Sequence, residues 1–366
     1  MTRVAFFIVL IILFTSCIEP FDFKNTEVKP ALVIEGFISD VSYNESLLLP
    51  NDGRYFGIKL KYTSIVTNKH DEIVYDATVR LISDDGFYWN YSPEYIDGSL
   101  QYLLKDDDFH VETGKKYKIQ IILGNGDTYE SDFEGMEMAQ PMGDISFEET
   151  EMTTTKYIMG ELELVTVSGI DVFINIPETE IASNYRWDIM PSWIFIAPNA
   201  GENSPFKTCY VKGAYYLRDF VLAKNSKGGY KQKLAFIETT GNERIAFELS
   251  LFIRQHIIND KTFQFWSEIK DQTTAAGLFD SPPYNVGTNI KPKGHSGEVY
   301  GYFGIHQESS KRWYFTPNEL TYSVSFSVYC DPRPLTLPEI LSKSNFSTIY
   351  IGCNPCHKFQ NYISQL

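Results

Sequence analysis

Positive charge is scarce in this sequence: 32 Lys and Arg stand against 47 Asp and Glu, for a formal net charge of -15. Such a chain has no basic field with which to displace counterions from a phosphate backbone, so nucleic acid is excluded as a partner class. An anionic membrane surface would repel it equally, which leaves covalent or protein-mediated attachment. Histidine is scarce too. His70, His110, His256, His295, His306 and His357 show no metal-ligand spacing, and His306, among apolar residues, reads as structural or simply exposed. A Gly-x-Ser-x-Gly elbow, a His-Glu-x-x-His zinc helix and a phosphate-binding glycine loop are all missing. Gly294-His295-Ser296-Gly297 has its second glycine one position early, and Gly124-Asn125-Gly126 lacks the third glycine of a dinucleotide loop. Asp106-Asp107-Asp108 lacks the alternating ligands and glycine bend of a calcium loop, so it reads as a solvated turn. The expectation is a protein that is not an enzyme and carries no metal or cofactor. A carboxylate pair for glycoside hydrolysis is defined in space, and nothing in the sequence recommends one pair over another.

What is present favours β-structure and export. The 366 residues are 43% hydrophobic and 22% charged, enough to bury a large core, and 26 Phe and 24 Tyr suit pleated surfaces better than helices. At the N-terminus, Arg3 precedes an apolar run over residues 4–14 that is too short to span a bilayer. Leu13-Phe14-Thr15-Ser16-Cys17 resembles a bacterial lipobox, which makes residues 1–16 a lipoprotein signal peptide and Cys17 the lipidated first residue. The acyl chains of such a residue anchor stably. Glu19 and Asp22 fit both a surface-export tag and a solvated tether over residues 17–30.

The fold class expected is mainly all-β, in two sandwich-like domains. Residues 31–140 read as an immunoglobulin-like sandwich. Residues 31–38 and 77–82 are strands, Ser83-Asp84-Asp85-Gly86 is a hairpin turn, and residues 116–122 and 128–131 flank a second turn at Gly124-Asn125-Gly126-Asp127. Residues 141–366 read as a second β-rich domain. Its expected strands are 169–177, 185–189, 193–196 and 233–237, a paired 299–305 and 311–315, and 322–329. One helix is inserted at about 260–272, capped by Asp260, with Phe263, Trp266, Ile269 and Lys270 at helical spacing and its aromatic stripe read as core.

Four cysteines remain after Cys17: Cys209, Cys330, Cys353 and Cys356. Cys353-Asn354-Pro355-Cys356-His357 matches a c-type haem attachment motif, and zinc or redox roles are further readings. The nine residues after His357 are too few to wrap a haem, and the chain shows no βαβ unit for a reactive Cys-x-x-Cys. Outside the cytoplasm, two structural disulfides are the main expectation. One of Cys353 and Cys356 would reach Cys209 and the other Cys330, pinning the C-terminal tail.

Cys17-Ile18-Glu19-Pro20-Phe21, Leu32-Val33-Ile34-Glu35-Gly36, Phe265-Trp266, Gly277-Leu278-Phe279-Asp280-Ser281-Pro282-Pro283, Gly301-Tyr302-Phe303 and Cys353-Asn354-Pro355-Cys356 occur in this order. Together they resemble a family of Bacteroidota outer-membrane lipoproteins known as a domain of unknown function. In Gly287-Thr288-Asn289-Ile290 the family's Gly-Asn-Ile signature carries one inserted residue. The resemblance implies a lipid-anchored protein at the outer membrane and cell surface, encoded beside TonB-dependent receptors. It would act as a non-catalytic accessory or binding subunit of such a β-barrel, and it implies no catalytic residues. Exposed aromatics would serve the barrel or a glycan or peptide ligand. Alternatives are a subunit of an outer-membrane assembly or secretion complex, and a surface hydrolase of glycan or peptide.

Overall fold

The computed structural model describes residues 30–48, 57–63, 72–96, 99–106, 109–197, 202–203, 207–213, 216–217, 219–274, 286–294, 296–324, 326 and 362–363. The signal segment, Cys17 and the tether up to residue 29, Cys330, Cys353, Cys356 and the motif at 277–283 lie outside them.

The chain begins with β1 (Leu32–Ser39), the short helix α1 (Tyr43–Leu48) and β2 (Gly57–Tyr62). Next come β3 (Glu72–Ile73), β4 (Thr78–Ser83), β5 (Tyr88–Asn90), β6 (Ser92–Ile96) and β7 (Ser99–Leu103). The second expected hairpin is β8 (Lys116–Ile122) and β9 (Thr128–Ser131), followed by β10 (Glu134–Gly135). Then a long hairpin forms from β11 (Ile145–Ile158) and β12 (Glu161–Ile176), closed by Met159 and Gly160, both at positive φ. After it run β13 (Ser183–Ile196), β14 (Thr208–Lys212), β15 (Val221–Ser226), β16 (Tyr230–Glu238) and β17 (Leu249–Ile258). Helix α2 (Asp260–Thr274), β18 (Ile290–Lys293), β19 (Val299–Phe315) and β20 (Tyr362–Ile363) complete the described elements. The fold is mainly β, as expected. No helix among the described residues is long and apolar enough to cross a membrane.

An eleven-stranded sheet with the main order β20-β14-β13-β17-β19-β1-β2-β7-β6 dominates the molecule. Its strands bury alternate residues on one face, where two smaller sheets pack side by side. Ile34 and Ile38 of β1 and Phe303 and Ile305 of β19 join Leu81, Ile119 and Ile121 of the six-stranded sheet in one core. Trp187 of β13 and Ile253 and Ile257 of β17 join Ile170, Val172 and Ile174 of the three-stranded β11-β12-β16 sheet in the other.

Hydrogen-bonded pairs cross the expected division at residues 140 and 141. β1 lies parallel to β19, from Leu32 beside Val299 to Ser39 beside His306, and β18 joins β9 in the first half's sheet. A parallel partner comes from a distant part of the chain, so no local turn announces it. The backbones of β1 and β19 approach closely at Gly301, whose φ is +96° and where a Cβ would lie 1.9 Å from the Ile34 carbonyl oxygen. A side chain there would force the strands apart, which accounts for glycine in the Gly301-Tyr302-Phe303 motif.

Four local expectations are corrected. Residues 185–189 and 193–196 belong to one strand, β13. Pro191 is tolerated because β15 pairs with 183–187 and β14 with 192–196, so on that edge the proline falls in the gap between them. Residues 299–305 and 311–315 do not pair with each other; they are the two ends of β19, continuous through Ser309 and Ser310. Helix α2 is capped by Asn259, whose Oδ1 accepts the Thr262 N–H at 2.9 Å, while Asp260 accepts from Asn184 Nδ2 at 2.8 Å. Of the expected strand 322–329, Tyr322, Ser323 and Val324 are described and are not in a strand.

Candidate functional site

The other face of the large sheet is polar at its centre. Register puts Arg186 and Asp188 of β13 beside His256 and Arg254 of β17, His256 beside Glu308 of β19, and Phe37 of β1 beside Gly304. These side chains, with His306 between them, occupy every second position of their strands and therefore one face. Helix α2 lies over that face, and between sheet and helix is a cleft of about 740 Å³. Its floor includes Phe37, Arg186, Asp188, Arg254, Tyr302 and His306, and its roof is Phe265, Trp266, Ile269 and Gln272. The predicted core stripe of α2 is thus divided. Thr262 and Phe263 are buried, whereas Phe265, Trp266 and Ile269 stay half-exposed and line the cleft.

The charged groups hold one another. Arg186 donates to Asp188 Oδ1 from Nη2 at 2.9 Å and from Nε at 3.2 Å. Its guanidinium lies 3.6 Å from the Trp266 ring centroid and 4.8 Å from that of Phe220, a cation–π stack that ties floor to roof. His256 Nε2 is 3.1 Å from Asp188 Oδ2, and Nδ1 faces Glu308 Oε2 at 3.8 Å. The Asp188 contact is within hydrogen-bond distance and the Glu308 one is not, so the proton of neutral His256 is assigned to Nε2, which donates to Asp188. Arg254 Nε is 3.5 Å from Glu308 Oε1. Phe37 stacks on His306 at 4.7 Å and meets the edge of His256 at 5.4 Å. The side chains of His256 and Glu308 are each 1% exposed, whereas that of Asp188 is 27% exposed and opens into the cleft. Among the described residues no group of three or more His, Cys, Asp and Glu is placed to hold a metal ion.

Burial lowers the His256 pKa, and the Asp188 hydrogen bond only partly offsets it. Burial pushes Asp188 upward, but the charge of Arg186 and the hydrogen bond to His256 outweigh it and hold the carboxyl well below the usual carboxylate range. Asp40, which accepts the Glu308 N–H at 2.8 Å, is raised by burial. The unfolded chain therefore takes up a proton at His256 below about pH 6.5 while the folded protein resists it, and at Asp188 the same holds below about pH 3.9. Asp40 acts in the opposite sense. We expect stability to fall on acidification from pH 7 to pH 5, by at most about 1.4 kcal/mol per pH unit for the one histidine. Urea midpoints at both pH values check this, and an unchanged slope in His256→Gln would show that another group is responsible.

A second polar node supports the cleft from the side. Glu134 of β10 accepts from Asn259 Nδ2 at 2.5 Å, from the Tyr302 hydroxyl at 3.1 Å and from Asn289 Nδ2 at 3.4 Å. Asn289 in turn accepts the Phe303 N–H and donates to the Phe303 carbonyl. That double bond to a central strand explains why asparagine sits in the Gly287-Thr288-Asn289-Ile290 signature.

Cys209 of β14 is fully buried, and the other cysteines lie outside the described residues. Next to it β20 pairs with Tyr210 and Val211, so the C-terminal tail returns to this strand. His306, read from sequence as structural or exposed, is buried in the floor of the cleft. Sequence reasoning missed the rest of the floor, and β17 altogether. The available signal was a polar pair at i and i+2 inside an apolar run: Arg186 and Asp188, Arg254 and His256, His306 and Glu308.

No curated protein matches this chain. A family profile does, over residues 18–312, and so takes in the first sheet core, most of the second, the cleft and its supporting node. The chain belongs to the family described as domain of unknown function (DUF4249).

Proposed function

We propose that this protein is a non-catalytic binding subunit, anchored in the outer membrane by lipid on Cys17 and exposed at the cell surface. It would work beside a β-barrel of the TonB-dependent receptor type. The observation that carries the reading is the cleft: a concave space of small-molecule size, walled by aromatic rings, over charged side chains already locked into ion pairs. Asp188 is tied to Arg186 and His256, which suits a rigid binding surface better than a carboxylate that must gain and lose protons. The signal segment, the lipobox and the family resemblance support the location and the partner. We also propose that Cys209 is joined to Cys353 or Cys356, with the other bridged to Cys330.

Purification of the full-length protein through a C-terminal tag in mild detergent tests this. A β-barrel receptor in stoichiometric amount is the expected result. A barrel-insertion or secretion complex in its place, or a monomer that cleaves a polymer, would overturn it.

A further inference from the structure

We propose that the cleft takes a neutral oligosaccharide, with sugar rings laid against Phe265 and Trp266 and hydroxyl groups reaching Asp188 and Gln272. This rests on the reading of the cleft as a ligand site and adds the chemical class of the ligand.

Charge is the first argument. Carboxylates and cations alternate around the cleft: Glu35 lies beside Lys59 in register and 3.2 Å from Lys61, and on the floor Asp188 and Glu308 face Arg186 and Arg254. The pairing is local as well, since Arg186 lies 2.9 Å from Asp188 and Arg254 lies 3.5 Å from Glu308. An anionic ligand would meet a carboxylate beside each guanidinium, and a cationic one the reverse, so neither gains a net field.

The mixture of donors and acceptors is the second argument. Asp188 accepts, and Gln272 both donates and accepts. A hydroxyl group also does both, so a polyhydroxylated ring can satisfy such a wall at several points. An extended peptide bound by strand addition would instead need a free strand edge for its backbone. The floor here is the face of a sheet, and the backbone of β17 and β19 is already paired with neighbouring strands on both sides.

The third argument is the half-exposed aromatic wall. Phe265 packs at 5.1 Å from Tyr302, and Trp266 is fixed from below by Arg186 at 3.6 Å. These rings are held in place while part of their surface stays open. A sugar ring, with one face made of C–H groups and an edge of hydroxyls, fits an aromatic wall bordered by polar groups. The volume of about 740 Å³ accepts a short oligomer.

The test uses the detergent-solubilised full-length protein and a panel of hexasaccharides. Malto-, cello-, xylo-, manno- and chitohexaose are the neutral probes; hexagalacturonate, a heparin hexasaccharide and hexaalanine are the controls. At least one neutral probe should bind with a change in tryptophan fluorescence and leave the controls without effect. Trp266→Ala should weaken binding at least tenfold. Should that variant fail to fold, as judged by its thermal transition, Gln272→Ala is the second variant, and ligand protection of α2 amides from hydrogen exchange in the wild type is the independent reading. Tighter binding of a charged probe or the peptide would overturn the proposal. So would neutral binding that both variants leave unchanged, or no neutral probe bound at millimolar concentration. If the barrel co-purifies but no saccharide binds, the ligand class alone fails. If a saccharide binds and no barrel co-purifies, the accessory role fails and the ligand class stands.

Discussion

Replacing Glu134 with alanine is expected to lower the stability of the folded protein by about 3–5 kcal/mol, because two buried donors and a half-buried one lose a shared charged acceptor. The Asn259 amide, the Tyr302 hydroxyl and one hydrogen of the Asn289 amide all point at this carboxylate. Burial and the Glu134 charge both raise the Tyr302 pKa, so the phenol stays a neutral donor. Asn289 keeps its bonds to Phe303, but Asn259 loses the contact that orients it as the cap of α2. The roof of the cleft should therefore loosen together with the core beside it. Urea denaturation gives the free energy, and hydrogen exchange shows whether the first turn of α2 opens before the rest. Glu134→Gln keeps one acceptor oxygen and should lose clearly less. A loss below about 1 kcal/mol in the alanine variant would mean that the donors find other partners, and the node would have no structural importance.

The second large effect is expected at Asp188. Its replacement by alanine leaves the Arg186 guanidinium and His256 Nε2 facing an empty position in a mostly buried site. Breaking a buried ion pair from one side costs about 3–5 kcal/mol. The partial exposure of Asp188 brings the expectation to about 2–3 kcal/mol. Removing Arg186 as well should recover part of the loss, since no unpaired guanidinium then remains. A double-mutant cycle should give a coupling of about 1–3 kcal/mol, and additivity within about 0.5 kcal/mol would show that the pair does not act as a unit. The same substitution removes the acceptor of the His256 proton, so the acid sensitivity assigned to His256 should change with it.

Much of the β-structure could be read directly. The hairpins at Gly86 and Gly126 carry glycine at positive φ in their turns, and the flanking alternation matches β4, β5, β8 and β9. The strand at residues 31–38 and the helix after Asn259 were equally legible. The errors cluster at the cleft. β19 looked like two strands because His306, Gln307 and Glu308 interrupt its apolar pattern, yet all three are buried. β17 escaped notice for a related reason. All ten of its residues are buried, so it lacks the alternation of a half-exposed strand, and Arg254 and His256 make its centre look polar.

The sequence by itself determined the strands and turns that local periodicity specifies, the helix after Asn259 and the acidic charge. Only the tertiary structure decided that Arg186, Asp188, Arg254, His256, His306 and Glu308 meet on one face. Strand pairing is made by backbone hydrogen bonds that are the same for every residue, so no short segment names its partner. Register then fixes which face each side chain takes, and a shift by one residue would turn these groups into the apolar core. The parallel union of β1 with β19, far apart in the chain, closes the arrangement, because burying Ile34, Ile38, Phe303 and Ile305 together on one face sends Phe37, Tyr302 and His306 to the other.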